Sequence, residues 1–325
     1  MSEHRGIMAY SESKDLMLEL LGKGSELASK LGTQLTAVVL GHDVEDQARE
    51  LVSYGAQKVI VVDNQQLKEF QTEPYLSALA QLARKHKPEL LLIGSTKRGK
   101  ELAARLAARL NAGCVPDCLE LKVDGKGKLL VERIVYGGNA IVTQIFRGKP
   151  QIATIPRRRF EKPEHNAESQ GEVIHVSDIQ LESPRTEIVE VKPIEIGETR
   201  IEEARVVIGG GRGLDKKEDF KILDELAQIL GGEVGYTRPL AEDRKWFTEW
   251  VGLSGHTISP ELYIASGISG VIQHVAGIRD SKIIVAINKD PEAPIMEMAD
   301  YIVVDDLYEI IPALSKALKR LLASA

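Results

Sequence analysis

Two glycine-bearing turns and a few polar residues at strand ends have the types and spacing to do chemistry in this sequence. Gly267-Ile268-Ser269-Gly270 stands between two short apolar runs, 261–265 and 282–287. The turn is expected to open a helix through His274, which Gly277 would stop. Strand, small-residue turn, helix and parallel strand form a βαβ unit. At such a helix start the free N–H groups and the helix dipole point the same way, so a phosphate can bind beside the Ser269 hydroxyl. On spacing alone the turn reads equally as one that binds nothing. The run Gly209–Gly213 lacks GxGxxG order and is no standard dinucleotide fingerprint. Its glycines are read as allowing close backbone approach, with Arg212 either a fixed cation for phosphate or a solvated turn residue. Arg238 follows a strand and precedes Pro239, which constrains its position. His274, taken alone, reads as a satisfied core histidine. The seven histidines form no HExxH or Cys/His cluster, so no metal site is expected. Neither GxSxG nor GxxxxGK[ST] is present.

These residues need a scaffold that gathers them. In the second half, apolar runs at 204–208, 233–236, 261–265, 282–287 and 301–304 alternate with helical patterns, the longest at 220–230 and 306–323. An open parallel sheet collects ligands at the carboxyl ends of its strands. Gly209, Thr237, Gly267, Asn288 and Asp305 all fall there. The first half predicts strands at 6–10, 35–40, 58–62 and 90–94 and helices at 16–31, 44–54, 74–86 and 98–110. That order makes a parallel sheet with helices on both faces. After Asn111 the rhythm changes. A hairpin over 119–123 and 129–136, then 140–147 and 151–156, reads as antiparallel additions, with edge strands at 173–176 and 188–191. The loop 94–100 resembles the phosphate loop of adenine-nucleotide-binding folds but is read as a plain turn. Trp246 and Trp250 are read as core. A boundary near 195–203 divides the chain into domains 1–200 and 201–325.

At 325 residues, 43% hydrophobic and 28% charged, two ordinary globular domains are expected. A net charge of −6 argues against a nucleic-acid partner. The longest apolar runs are strand-sized, far below a membrane span. Cys114 and Cys118 match neither CxxC nor half of a zinc site, which predicts buried reduced thiols. The opening residues run straight into a strand, so a cytoplasmic location is expected.

The string ELYIASGISGVIQHVAGIRDSKIIVAINKDPEAP over 261–294 resembles the signature of the electron transfer flavoprotein alpha (large) subunit. Gly209-Gly210-Gly211-Arg212-Gly213-Leu214 upstream and Ala299-Asp300-Tyr301 and Asp305-Asp306-Leu307 downstream extend the likeness, dense over the last third and loose over the first half. The resemblance implies a Rossmann-like second domain holding one FAD. It also implies an adenine-nucleotide-hydrolase-like first domain with an emptied nucleotide site, which pairs with a small (beta) subunit. By the same resemblance the chain is an electron carrier rather than an enzyme. It would take electrons from acyl-CoA or other flavin dehydrogenases and deliver them to a quinone-linked oxidoreductase. The alternative is an electron-bifurcating form whose small subunit carries a second FAD and accepts hydride from NADH. Rivals outside the family are a nucleotide-sensing module and an NAD(P)-dependent oxidoreductase, for which no substrate acid or base is found.

Residue by residue, the resemblance puts Arg212 and Thr237 on FAD and Arg238 against the isoalloxazine, where a fixed positive charge favours the electron-rich flavin. Gly267, Ser269, Gly270, Val271, Ile272, Gln273 and His274 follow on the signature turn and helix, with His274 meeting the flavin C2 carbonyl. The loop 251–257 is similar to one that often reads QTGK. Ser254 keeps a hydroxyl where the family bonds flavin N5, beside Gly255. Leu253 replaces an amide, which leaves a backbone contact, and His256 replaces a lysine. Asn288, Asp306 and Leu307 lie where the family holds the adenosine half. Asp306 also suits the N-cap of the last helix, a compatible role.

Overall fold

The structure, a computed structural model, describes residues 4–136, 140–191 and 201–323. The chain divides into two compact units, Met1–Val191 and Lys192–Ala325. The expected boundary falls largely on residues 192–200, which lie outside the described residues.

The first unit contains strands β1 (Ile7–Tyr10), β2 (Leu35–Gly41), β3 (Lys58–Asp63), β4 (Leu90–Gly94), β5 (Gly113–Val115), β6 (Cys118–Val123), β7 (Leu129–Val135), β8 (Ala140–Ile145), β9 (Gln151–Ile155) and β10 (Glu172–His175). Helices α1 (Lys14–Leu31), α2 (Glu45–Ser53), α3 (Thr72–His86) and α4 (Lys97–Leu110) connect the first strands. Seven strands form one sheet in the order β10-β3-β2-β1-β4-β9-β5, parallel throughout. Strands β6, β7 and β8 form a separate antiparallel sheet. The reading of 151–156 as an antiparallel addition is therefore corrected: β9 is an inner parallel strand between β4 and β5. Its five residues are all buried, as a strand covered on both faces requires. Residues 188–191 form no strand, and Val189 and Val191 are exposed. Cys114 is half-buried and Cys118 buried, both free. Burial pushes the Cys118 thiol up to about 12.

The second unit contains strands β11 (Val206–Gly210), β12 (Glu233–Tyr236), β13 (Leu262–Ser266), β14 (Ile283–Asn288) and β15 (Tyr301–Val304). Its helices are α5 (Lys221–Leu230), α6 (Arg238–Glu242), α7 (Ile272–Ile278), α8 (Pro294–Met298) and α9 (Leu307–Ala323). All pairings are parallel, in the order β12-β11-β13-β14-β15. From β11 the chain first builds outward to β12, then returns to lay β13 on the other side. The strand order reverses between β11 and β13, so a crevice opens beyond their carboxyl ends. One core, around Tyr263, Ile284 and Ile295, packs one face of this sheet; another, around Leu223, Leu226 and Ile311, packs the other. Helices α6 and α8, absent from the sequence reading, both begin with proline in the first turn, where its missing N–H costs nothing. Gly277 does not stop α7. It lies inside the helix, where a Cβ would sit 2.4 Å from Cα of Gly252, so the missing side chain lets helix and loop touch. Among the described residues no helix is long and apolar enough to cross a membrane.

Candidate functional site

The crevice is a cavity of about 350 Å³. Its walls come from Gly211–Gly213 after β11, Thr237-Arg238-Pro239 after β12, and Trp250, Val251, Gly252 and Ser254 on the following loop. They continue with Gly267–Val271 after β13, Gln273 and His274 of α7, and Asn288 at the end of β14. Of the residues singled out in the sequence, Arg212, Thr237, Arg238, Ser254, Gly267, Ser269, Gly270, Val271, Gln273, His274 and Asn288 line it. Leu253, Gly255, Ile272, Asp306 and Leu307 lie outside the lining.

The floor is made by two turns locked backbone to backbone. The Gly211 N–H donates to Ser266 O at 3.0 Å, and the Gly213 N–H to Gly267 O at 3.0 Å. A Cβ on Gly211 would lie 2.4 Å from Gly267 O, and one on Gly213 2.7 Å from Gly267 Cα. Gly267 itself has φ +62, a conformation that favours glycine. Leu307 supports the floor: its Cδ2 lies 2.7 Å from where a Cβ on Gly267 would be. Ser269 is not at a helix start, because α7 begins at Ile272 with Val271 as its cap. The Ser269 carbonyl instead accepts from the Ile295 N–H at 3.1 Å, while its side chain is exposed. Asn288 closes the turn from the side: its Nδ2 donates to Ile268 O at 2.9 Å and its Oδ1 accepts from the Asp290 N–H at 3.0 Å.

Polar groups reach the cavity from three directions. Thr237 is buried, and its Oγ1 has no hydrogen-bond partner among the described residues. An unsatisfied buried hydroxyl costs about 1–3 kcal/mol, so this one is suited to a ligand atom. Arg238 lies within reach of Trp250, its guanidinium 5.8 Å from the ring centre. Its Nε and Nη2 both donate to Glu242 Oε2, at 2.9 and 2.8 Å. The Arg212 side chain is exposed at the rim. Trp250, read as core in the sequence, is a cavity wall. Its Nε1–H donates to Ser254 Oγ at 3.2 Å, which leaves the serine its own proton to donate onward. The loop is fixed by the Leu253 N–H to Gln273 O at 2.8 Å and by His256, set between Glu202 and Glu249. Gly255 lies under Trp250, where a Cβ would meet its carbonyl at 2.1 Å.

His274 is buried with both nitrogens engaged: Nδ1 lies 3.1 Å from Val251 O and Nε2 3.0 Å from the Tyr263 hydroxyl. Burial pulls the imidazole down from its ordinary 6.5 to about 4. Asp306 caps α9 through the Tyr308 N–H at 2.9 Å and pairs with Lys289 at 2.9 Å. Lys289 first, then that N–H, holds its carboxyl below the ordinary carboxylate range. In the first unit, the hydroxyls of the loop 94–100 are engaged by protein carboxylates. Ser95 Oγ donates to Asp117 Oδ1 at 2.5 Å and Thr96 Oγ1 to Glu12.

A switch-point crevice with a glycine floor, an unpartnered buried hydroxyl and two arginines at its rim defines the second unit as a nucleotide-cofactor-binding α/β unit. Residues 9–181 match the family model described as the electron transfer flavoprotein domain, and residues 200–279 the electron transfer flavoprotein FAD-binding domain. The electron transfer flavoprotein subunit alpha of Clostridium acetobutylicum is 42% identical over 330 residues, 98% of each chain. That of Thermoanaerobacterium thermosaccharolyticum is 40% identical, covering 99% of this chain and 100% of the relative. Subunit LctC of the lactate dehydrogenase (NAD(+),ferredoxin) of Acetobacterium woodii is 38% identical over 96% of this chain and 77% of its own length. The chain belongs to the electron transfer flavoprotein alpha subunit family and is an electron carrier with FAD as its cofactor.

Proposed function

We propose that this chain is the FAD-holding subunit of a cytoplasmic heterodimer. Its first domain, residues 1–200, pairs with a small (beta) subunit, and residues 201–325 carry the flavin. The heterodimer takes electrons from acyl-CoA or other flavin dehydrogenases and passes them to a quinone-linked oxidoreductase. The observation that carries the reading is the unpartnered Thr237 hydroxyl buried in a crevice whose rim carries Arg212 and Arg238.

FAD supplies the electron chemistry, taking up and releasing electrons within a site that the protein shapes. Arg212 and the locked glycine turns receive the pyrophosphate. Thr237 and Ser254 offer hydroxyl protons to the flavin ring, and Arg238 sets the charge beside it. Asn288, which pairs with Val304 at the end of β15, and Asp306 and Leu307, which follow that strand, would hold the adenosine half. Leu253, Gly255 and Ile272 contribute by fixing the loop and helix that face the ring.

A second reading, the electron-bifurcating form, is favoured by one observation: a relative that matches nearly the whole chain bears a name specifying NAD(+) and ferredoxin. Co-expression with the neighbouring small subunit, followed by the visible spectrum and a flavin count, decides between them. One FAD per pair with bound AMP supports the simple carrier. Two FAD with bleaching by NADH supports bifurcation, and a colourless heterodimer that takes up no FAD refutes the site.

A further inference from the structure

The loop 250–256, which presents Ser254 to the cavity, is closed on itself by its first and last residues. The His256 N–H donates to the Trp250 carbonyl at 2.8 Å, and the Gly252 N–H to the His256 carbonyl at 3.0 Å. Trp250 in turn holds Ser254, its indole N–H lying 3.2 Å from the hydroxyl oxygen. His256 itself lies outside the cavity lining. Its Nδ1 is 2.5 Å from Glu202 Oε1 and its Nε2 3.1 Å from Glu249 Oε2. A carboxylate only accepts, so both ring nitrogens carry hydrogen and the ring is a cation between two anions. Glu202 belongs to the turn Ile201–Glu203 ahead of β11, so the ring ties the loop to the entry of the sheet.

We propose that His256 is a positioning residue of the flavin site: its cationic ring clasps the loop that presents Ser254, chiefly through Glu202. The two ion pairs are unequal. Glu249 is 70% exposed, and a pair so open to water is worth little. His256 and Glu202 are 21% and 30% exposed, so their shorter contact is less screened. The backbone bonds of the loop do not replace it, because short loops open locally at small cost where no side chain pins them. A hydroxyl donates more strongly to an acceptor that has gained negative charge, so a well-held Ser254 favours the reduced flavin. Loosening the clasp therefore lowers the midpoint potential. The part of this inference that concerns the cofactor rests on the flavin reading of the cleft; the clasp itself does not.

The test is a redox titration of the purified heterodimer, with FAD content measured, and amide hydrogen exchange on the flavin-free form. His256→Gln and Glu202→Ala should each lower the midpoint and speed exchange at the Gly252 and His256 positions, with Glu249→Ala the mildest of the three. His256→Lys, which keeps a cation with several donors, should restore both readouts. The sign at Glu202 separates the clasp from simple charge, since removing a carboxylate that acted only through its field raises the midpoint. In a Ser254→Ala background, His256→Gln should shift the midpoint no further, because the two changes act through one hydroxyl. A raised midpoint in Glu202→Ala overturns the proposal, as does a His256→Gln shift that persists at full size without that hydroxyl. Loop exchange indifferent to both His256→Gln and Glu202→Ala overturns it too. If the heterodimer takes up no FAD, the flavin reading falls while exchange in the flavin-free form still decides the clasp.

Discussion

Arg238 does not act on the flavin as an isolated cation, because Glu242 shares its guanidinium, and that makes the carboxylate a lever on the redox potential. An isolated charged hydrogen bond of about 1.5–3 kcal/mol converts to roughly 65–130 mV for one electron, at about 1.4 kcal/mol per 59 mV. Two features reduce this. Both donor atoms of Arg238 point at one carboxylate oxygen, and the two side chains are 55% and 44% exposed, so solvent screens them. Arg238→Ala should therefore lower the midpoint by roughly 40–80 mV, the range for about 1–2 kcal/mol of partly screened charge. Glu242 is a weaker influence of opposite sign, since it lies outside the cavity lining while Arg238 is part of it. Glu242→Gln keeps an acceptor for Arg238 while removing the negative charge, and should raise the midpoint by roughly 20–40 mV, about half the arginine effect. The assay is a spectroelectrochemical titration of the purified heterodimer for each variant, with FAD content measured in parallel. A midpoint that Glu242→Gln leaves unmoved or lowers, at full FAD content, refutes the idea that this pair sets the charge at the ring.

Thr237→Val removes a hydroxyl that has no partner among the described residues, so the flavin-free heterodimer should melt at the same temperature while FAD affinity falls ~5-fold, the worth of about 1 kcal/mol. A lower flavin-free Tm with unchanged affinity, read by calorimetry and flavin fluorescence, contradicts this. Gly277→Ala drives a Cβ to 2.4 Å from Gly252 Cα, a backbone clash of the kind that costs about 1–3 kcal/mol. Urea unfolding should show that loss, and the purified heterodimer should retain less FAD. His274 is held neutral by burial, so the unfolded chain binds its proton more readily than the folded one. Its contribution to stability is complete above pH 6.5 and is lost as the pH falls from 6.5 to about 4, a change of about 3 kcal/mol at most. Urea midpoints across that window should decline in the flavin-free heterodimer, and the decline should be shallower in His274→Gln.

How much of this was legible in the sequence depended on whether the determining contact was local. Strands read as apolar runs, so β1 to β4 and the five strands of the second unit were visible within a residue or two, including β15, whose residues are largely exposed. The strand β9 was visible too, but following a hairpin it was taken for one more antiparallel addition; its unbroken burial is the property that separates it from β7 and β8. Helices α6 and α8 have five residues each, too few for a period to register. The spacing of Arg238 and Glu242 on one helix face was available as an i,i+4 pair once α6 was known. The pairing of Tyr263 with His274 was not, because eleven residues and a turn separate them. Trp250 was read as core for the same reason: only the folded loop turns its indole towards Ser254 and the cavity.

The glycines make the point most sharply. Gly277 and Gly252 are placed by one another, and Gly211 and Gly213 by Gly267. A dinucleotide fingerprint keeps its spacing because each glycine answers to the same phosphate and the same helix. Here the first demand on the run is that it pass a second turn whose position is set some fifty residues later in the chain. The GxGxxG order is then free to lapse without loss of the cradle, and the absence of that pattern says nothing against a bound dinucleotide. What the run must keep is the absence of a side chain at the points of crossing. That is a requirement of tertiary packing, recoverable from the sequence only by knowing which turn it meets.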